Sequence, residues 1–401
     1  MSSILITNKV ANKCRVKAKS LSDEEEVEFF YGFLDKGEEV DAVVRGFVSA
    51  FFMSLVTHDD IYLKPGDLGV VLSTLGAENT LKLLDRKIVK VVFGADDFVV
   101  KSGKAALELS FMKFDWAELE GFEERLPERL HPTLRSRIVQ YVDNSSVRAD
   151  GFTEVALSEL NGDFSRQDFR SQLDFKTSRV TQVDPHDGYR ILRVSECAQS
   201  LIIQNKLSID SIYQDAYVKD YANAKLGAFR NVVGSDPIEG FEKVIGAKGI
   251  PDIYYLYSKG VVSLDDILVC RESFNGSVFR KWYSNAEFDG QLLMSALLTP
   301  VKQSAASRFI RLIYPNVIGV LNPFVGLGAS VLDSYLVDKL VGGWRPSLFL
   351  DDVLKTTIDE KIRLFDRKSK MEEFVKRFGS IDRNESCPCQ SGKKFKRCHG
   401  A

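Results

Sequence analysis

Histidine and cysteine are scarce in this chain, with four and six in 401 residues. Cys14, Cys197 and Cys270 are far apart and odd in number, which excludes a disulfide framework built on them. A strong charge of either sign is also missing. The formal net charge is −2 at pH 7, so no global basic field draws the whole chain onto nucleic acid, although a local basic patch stays open. The N-terminal stretch "MSSILITNKVANKCRVKAKS" sets its basic residues after a short apolar run, the reverse of a secretory signal. We therefore expect a cytoplasmic protein with reduced thiols.

The familiar catalytic signatures are absent too. "GADDFVVKSGK" ends in Gly-Lys, but Gly94 lies too far upstream for a phosphate loop. "GLGAS" at Gly326 to Ser330 lacks the third glycine of the dinucleotide fingerprint and a clear preceding strand. There is no G-x-S-x-G, no H-E-x-x-H and no clear nuclease-like Asp…Glu-x-Lys set. A catalytic site, if there is one, is assembled from scattered residues, and our reading leans away from an enzyme.

What is present is an ordinary globular composition: 44% hydrophobic, 27% charged and 11% aromatic. A chain of this length buries a sizeable core. Hydrophobic periodicity predicts a mainly α fold with a small β element near Ile88 to Phe114 (α+β), and the spacing of the last three cysteines and His399 predicts a C-terminal zinc knuckle. We divide it into an α+β region over 1–115, a helical region over 116–226, a second helical region over 227–380 and the knuckle over 384–401.

Within the first region, "SLSDEEEVEFFYGFLDKG" has the signature of a helix start, with Ser22 as cap and Glu25 three residues on. A second helix fits Val40 to Val56. Two short helices fit "KPGDLGVVLSTLGAENTLKLLDRK", punctuated by Pro65-Gly66 and Gly76. Around the turn Gly94-Ala95-Asp96-Asp97, β-rich runs predict a hairpin, with Leu107, Leu109 and Phe111 as a third strand. Helices dominate from Trp116 to about Leu226, a further one fits Glu287 to Leu298, and the last long one fits Asp351 to Phe378.

Three features of the body carry chemical interest. The dipeptides His58-Asp59 and His186-Asp187, with His131 and Asp210, have the residue types of a metal-dependent phosphohydrolase; the bland alternative is a helix end and a turn. The segment "CRESFNGSVFRKWY" clusters Arg271, Glu272, Arg280, Lys281 and Trp282. It reads either as a nucleic-acid contact or as a helical corner pinned by Arg–Glu pairs around a buried Trp282. The apolar, glycine-rich run from Val317 to Leu340 reads as a buried hairpin or as a membrane-active segment; Pro323 and Asp333 interrupt it, which disfavours a membrane span.

The thiols concentrate at the very end, in "RNESCPCQSGKKFKRCHGA". Cys387, Cys389, Cys398 and His399 have the spacing C-x-C-x8-C-H, a Cys3His set of the kind that holds structural zinc tetrahedrally. Pro388 stiffens the first pair, and Ser391-Gly392 supplies the chain reversal. Lys393, Lys394, Lys396 and Arg397 offset the net negative charge of three thiolates around a dication. A knuckle this small folds on its metal.

This stretch resembles the SEC-C motif, the short zinc-binding tail of the SecA preprotein translocase ATPase that is also appended to many unrelated bacterial proteins. The family pattern is close to C-P-C-G-S-G-K-K-Y/F-K-x-C-C/H, and Gln390 stands where the family usually has glycine. The resemblance implies one structural Zn2+ and a tail that docks a protein partner, a chaperone or the ribosome. On that basis we expect a bacterial adapter or sensor, with accessory or defence roles compatible. The rivals are a membrane-acting effector using 317–340 and an enzyme with a cryptic site.

Overall fold

The computed structural model describes residues 2–7, 14–19, 26–31, 40–102, 106–113, 118–128, 130–213, 216–226, 237–285, 346–379, 381–382, 384–389 and 391–398. The apolar run 317–340, the expected helix 287–298 and His399 lie outside them.

The described strands are β1 (Ser3–Leu5), β2 (Cys14–Lys19), β3 (Glu26–Tyr31), β4 (Asp60–Leu63), β5 (Val89–Phe93), β6 (Asp97–Ser102), β7 (Leu107–Met112), β8 (Ser146–Arg148) and β9 (Ser211–Ile212). The helices of the first half are α1 (Val40–Thr57), α2 (Pro65–Leu75), α3 (Ala77–Asp85), α4 (Leu119–Arg125), α5 (Pro132–Ser145), α6 (Phe152–Ser165), α7 (Gln167–Gln172) and α8 (Gly188–Lys206). Then follow α9 (Ala216–Leu226), α10 (Pro237–Ala247), α11 (Ile253–Ser258), α12 (Leu264–Glu272) and α13 (Phe274–Asn285). The last are α14 (Pro346–Phe349), a π-helical turn Leu350–Lys355 and α15 (Thr356–Phe378). Helices outweigh the short strands, so the chain is mainly α with a β element.

The strands form two sheets. The first is five-stranded and wholly parallel, in the order β8-β5-β4-β1-β9. The chain lays down β1, β4, β5 and β8 outward in one direction and then returns to put β9 on the other side of β1. Parallel strands are covered on both faces and therefore read as short apolar runs rather than alternations, which is why "SIL" and "DIYL" carry so little strand signal. One face packs on α1 and its neighbours, a core drawn from residues as distant as Ile4 and Ile358. On the other face Leu5, Val92 and Ile212 meet Ile203 of α8.

The second sheet is antiparallel, β2-β3-β6-β7. Two expectations change here. The acidic stretch expected to start a helix runs instead into β3, paired along its length with β2; alternating Val27, Phe29 and Tyr31 suit a strand, and the cap candidates Ser22 and Glu25 lie outside the described residues. The turn at Gly94 does not close a hairpin. It carries the chain from β5 in the parallel sheet to β6 in the antiparallel one, whose partners are β3 and β7. Gly94 has φ +80°, and a Cβ there would lie 2.4 Å from Asp150 Oδ1, so the loops after β5 and β8 approach each other where only glycine fits.

α2 and α3 form as expected, with Pro65 in the first turn of α2 and Gly76 between them at φ +78°. α15 is different in kind. Ile358 is its last residue buried in the body, and every residue from Arg363 to Lys370 is exposed. The helix leaves the core as an arm, with Lys361 tied to Asp266 at its root and Lys368 facing Glu372 across one turn further out. Acids placed one turn before bases, as in Asp366 and Lys370 or Glu373 and Arg377, favour a helix that is exposed along this stretch.

Candidate metal centre

The C-terminal segment folds back on itself through backbone bonds. Cys387 N–H donates to Lys393 O at 2.9 Å, and Phe395 N–H donates to Glu385 O at 2.8 Å. Gly392 makes the reversal at φ +69°, and Phe395–Arg397 form one 3-10 turn that delivers Cys398. The result brings the sulfurs of Cys387, Cys389 and Cys398 within 4.8 Å of one another. Cys389 Sγ and Cys398 Sγ are 3.5 Å apart. Two thiolates on one tetrahedral zinc, each at about 2.3 Å, lie ~3.8 Å apart, so the three sulfurs fit such an ion with little movement. The fourth expected ligand, His399, falls outside the described residues.

The thiols differ in setting. Cys387 is buried with Phe395, whereas Cys389 is exposed. The Ser391 hydroxyl and the Cys387 thiol hydrogen-bond to Cys389 and bring its pKa down to about 6. The thiolate is the form that binds metal, so this shift favours metal binding. Lys393, Lys394, Lys396 and Arg397 are all exposed around this cluster.

A contact that the sequence did not reveal fixes the knuckle to the arm. Phe395 stacks on Phe374 of α15 at 5.4 Å between ring centroids, with Cys387 in the same apolar cluster and Met371, Ile381 and Cys398 at its rim. Such a ring pair contributes about 0.5–1.5 kcal/mol beyond its burial. "GSIDRNES" reads as a polar spacer, yet it is short enough for the knuckle to sit on the helix it follows. Ile381, the one apolar residue in the spacer, was the available signal.

The SEC-C motif is present: its family model matches residues 383–401. Over 26 residues the chain is 73% identical to the protein translocase subunit SecA of Orientia tsutsugamushi (strain Ikeda), covering 6% of this chain and 3% of that one. It is 50% identical over 34 residues to the SecA of Nitrosomonas europaea, which covers 8% of this chain and 4% of that protein. With the SecA of Rickettsia akari the identity is 42% over 48 residues, 12% of this chain and 5% of the other. The chain thus spans only a few per cent of the length of these curated relatives, and the body is not recognised. No solved structure matches it.

Of the body's sequence candidates, His58, Asp59 and Asp210 share the amino end of β1, while His131, His186 and Asp187 are held in other local structures. His58 follows α1 and is fully buried, its Nδ1 2.8 Å from Thr57 Oγ1 and its Nε2 3.1 Å from Ser211 Oγ. Burial drives its pKa down to about 3, so it is a neutral ring. Asp59 pairs with Arg280, Nε to Oδ1 at 2.7 Å. His131 caps α5 by accepting from Thr133 N–H. Asp187 accepts from the backbone of Lys176 and Thr177, while His186 is exposed. Asp210 accepts from Ser3, at the same amino end of β1 where Ser2 donates to Asp59. Every residue of the phosphohydrolase-like set except the exposed His186 has its side chain in a structural hydrogen bond.

"CRESFNGSVFRKWY" is a helical corner, but its pins differ from those expected. Arg271 is buried and donates to the carbonyls of Leu55, His58 and Asp59, and Arg280 donates to Arg271 O at 2.7 Å. Burial and the nearby Arg280 lower the Arg271 pKa to about 9, which leaves it cationic at neutral pH. Glu272 turns outward to Arg86, and Trp282 is half-buried rather than central. The Arg271 guanidinium therefore closes the carbonyl end of α1, a use of Arg that satisfies orphan acceptors, and Arg280 braces it through Arg271 O and the Asp59 carboxylate.

Proposed function

We propose that the chain is an adapter whose zinc-loaded knuckle docks a protein partner. The observation that carries this reading is the placement of the cysteine cluster: it sits at the tip of an exposed helix, with four cations turned to solvent. From Ile358 to Phe374 the arm advances 16 residues, or ~24 Å at the α-helical rise. A metal fold at that distance from the core adds nothing to the core's stability, whereas it presents a compact cationic surface clear of the body. Cys387, Cys389 and Cys398 hold the zinc, with His399 as the fourth ligand by the Cys3His spacing. Four protein ligands leave no open position, so the ion is structural and supplies folding energy rather than chemistry. The relatives that share the tail are named as translocase subunits, which places the same knuckle on proteins that work in assemblies. Ribosomal docking is the variant of this reading in which the partner is a ribosomal protein.

The test compares three baits: the full zinc-loaded chain, a chain ending at Ser380, and the full chain with Lys393, Lys394, Lys396 and Arg397 changed to Glu. Elemental analysis of the first is expected to give one zinc per chain. A partner captured by the first and lost from both others supports docking by the knuckle. Equal capture by all three, or a freshly purified chain without zinc, overturns the proposal.

A further inference from the structure

The two edges of the parallel sheet are finished differently. At the amino edge the polar groups answer one another. Ser3 donates to Asp210 through N–H and hydroxyl at 2.7 and 2.8 Å, Ser2 N–H donates to Asp59 at 2.9 Å, and Lys90 pairs with Asp60 at 2.6 Å. Together with the Arg280–Asp59 pair this edge is a closed structural network.

At the carboxyl edge the network is incomplete. Lys64 follows β4 and turns onto the α8 face, the face of Tyr62 two residues earlier. Its ammonium donates to Glu196 Oε2 at 2.7 Å and to Gln199 Oε1, both on α8. Gln199 is held in turn by Asp96 O at 2.6 Å and Thr153 Oγ1 at 2.7 Å. Three buried oxygens are left over: Glu196 Oε1, Ser200 Oγ one turn along α8, and Thr7 Oγ1, two residues past Leu5 on the continuation of β1. Thr7 and Glu196 are each 6% exposed and Ser200 is 0% exposed. Extending the β1–β4 register, Leu5 with Tyr62, sets Thr7 beside Lys64.

This is also where the chain direction reverses. β1 lies between β4, reached on the outward path, and β9, reached on the return. Open parallel sheets bind their ligands outside the carboxyl ends of the strands at such a reversal.

We infer that the carboxyl edge around Lys64 and Glu196 is a binding site for an uncharged polyhydroxylated ligand, gripped through a vicinal diol. A phosphate is an anion, and here it would meet the carboxylates of Glu196, Asp67 and Asp97 that act on the one Lys64 ammonium. A cation would meet that ammonium. A diol both donates and accepts: its protons satisfy Glu196 Oε1, and its oxygens take the hydroxyl protons of Thr7 and Ser200. Burying an ion pair is costly against apolar packing of the same volume, and this pair is buried with three oxygens beside it that have no partner. The diol of a ribose and that of a free hexose share this chemistry.

The test titrates the full chain with adenosine, 2′,3′-dideoxyadenosine, D-glucose and inorganic phosphate, read by ligand-detected NMR. Saturable binding of adenosine or of D-glucose is expected, and which one binds distinguishes nucleoside from free sugar. For adenosine the dideoxy analogue is expected to bind at least about tenfold more weakly, because a site built for hydroxyls is left unpaired without them. Thr7→Val and Ser200→Ala remove hydroxyls that hold nothing in the fold. They are expected to keep the melting temperature and weaken binding about tenfold, ~1.4 kcal/mol. The proposal is overturned if neither diol binds, if phosphate binds instead, or if both variants bind as well as the parent chain. A crystal structure in saturating adenosine and D-glucose showing only ordered water on the three oxygens overturns it equally.

Discussion

His58 gives the body a measurable acid sensitivity. Its ring is fully buried between Thr57 and Ser211, and burial lowers its pKa to about 3, with Arg271 and Arg280 adding to the effect and Asp59 opposing it. In the unfolded chain it titrates near 6.5. Below that pH the unfolded state takes up a proton that the folded state refuses, so stability falls as pH drops from about 6.5 toward 3. Between pH 7 and pH 5 the linkage is worth about 2 kcal/mol. Asp59 acts in a lower window: burial pushes its carboxyl up, but Arg280 outweighs that and sets it below the usual value of 3.8. Its contribution is present above that value and disappears only at more acid pH. Urea unfolding of the parent chain and of His58→Gln at pH 7, 6 and 5 separates the two. The parent is expected to lose about 2 kcal/mol more than the variant across that range. Parallel losses, or a folded-state His58 resonance titrating near 6.5, would refute the reasoning.

Gly276 lies in the first turn of α13, where a Cβ would stand 2.4 Å from Cys270 O and 2.7 Å from Arg271 O. Gly276→Ala therefore forces α12 and α13 apart, and a loss of about 1–3 kcal/mol in urea unfolding is expected; an unchanged midpoint would show that the corner has slack. Cys398→Ser is expected to abolish zinc retention, measured by elemental analysis, while the main thermal transition stays in place. Among the described residues the apolar contact of the knuckle with α15 is Phe395 against Phe374 and Met371, so a shift of the main transition would mean that the tail braces the core.

Legibility followed the kind of signal each element carries. α1, α2, α3 and α15 announced themselves through periodicity and through Pro65 and Gly76, which act locally. β1, β4, β8 and β9 did not, because strands of two to four residues covered on both sides offer neither alternation nor length. β3 was misread since acids before an apolar run suit a helix start as well as a strand pairing with basic β2. The metal cluster was legible in full at Cys387, Cys389 and Cys398 because a knuckle's ligands are close in sequence. The polar groups at the carboxyl edge, Thr7, Lys64, Glu196 and Ser200, come from three distant segments, and only the sheet brings them together. Arg271 and Arg280 were singled out as chemically unusual, but their targets, the carbonyls at the end of α1 for Arg271 and the Asp59 carboxylate and Arg271 O for Arg280, are invisible until the corner is folded.

The exposed arm also sets a local concentration. Under the docking proposed above, a partner on the knuckle would be held within ~24 Å of the core, and one molecule in a sphere of that radius corresponds to roughly 30 mM. A second contact between that molecule and the body then forms at millimolar intrinsic affinity, weak enough to be undetectable between separate molecules. The length of α15, more than any surface on the core, decides which second contacts are within reach. Inserting or removing one helical turn between Arg363 and Lys370 would move the gripped molecule by ~5.4 Å without changing a single residue that touches it.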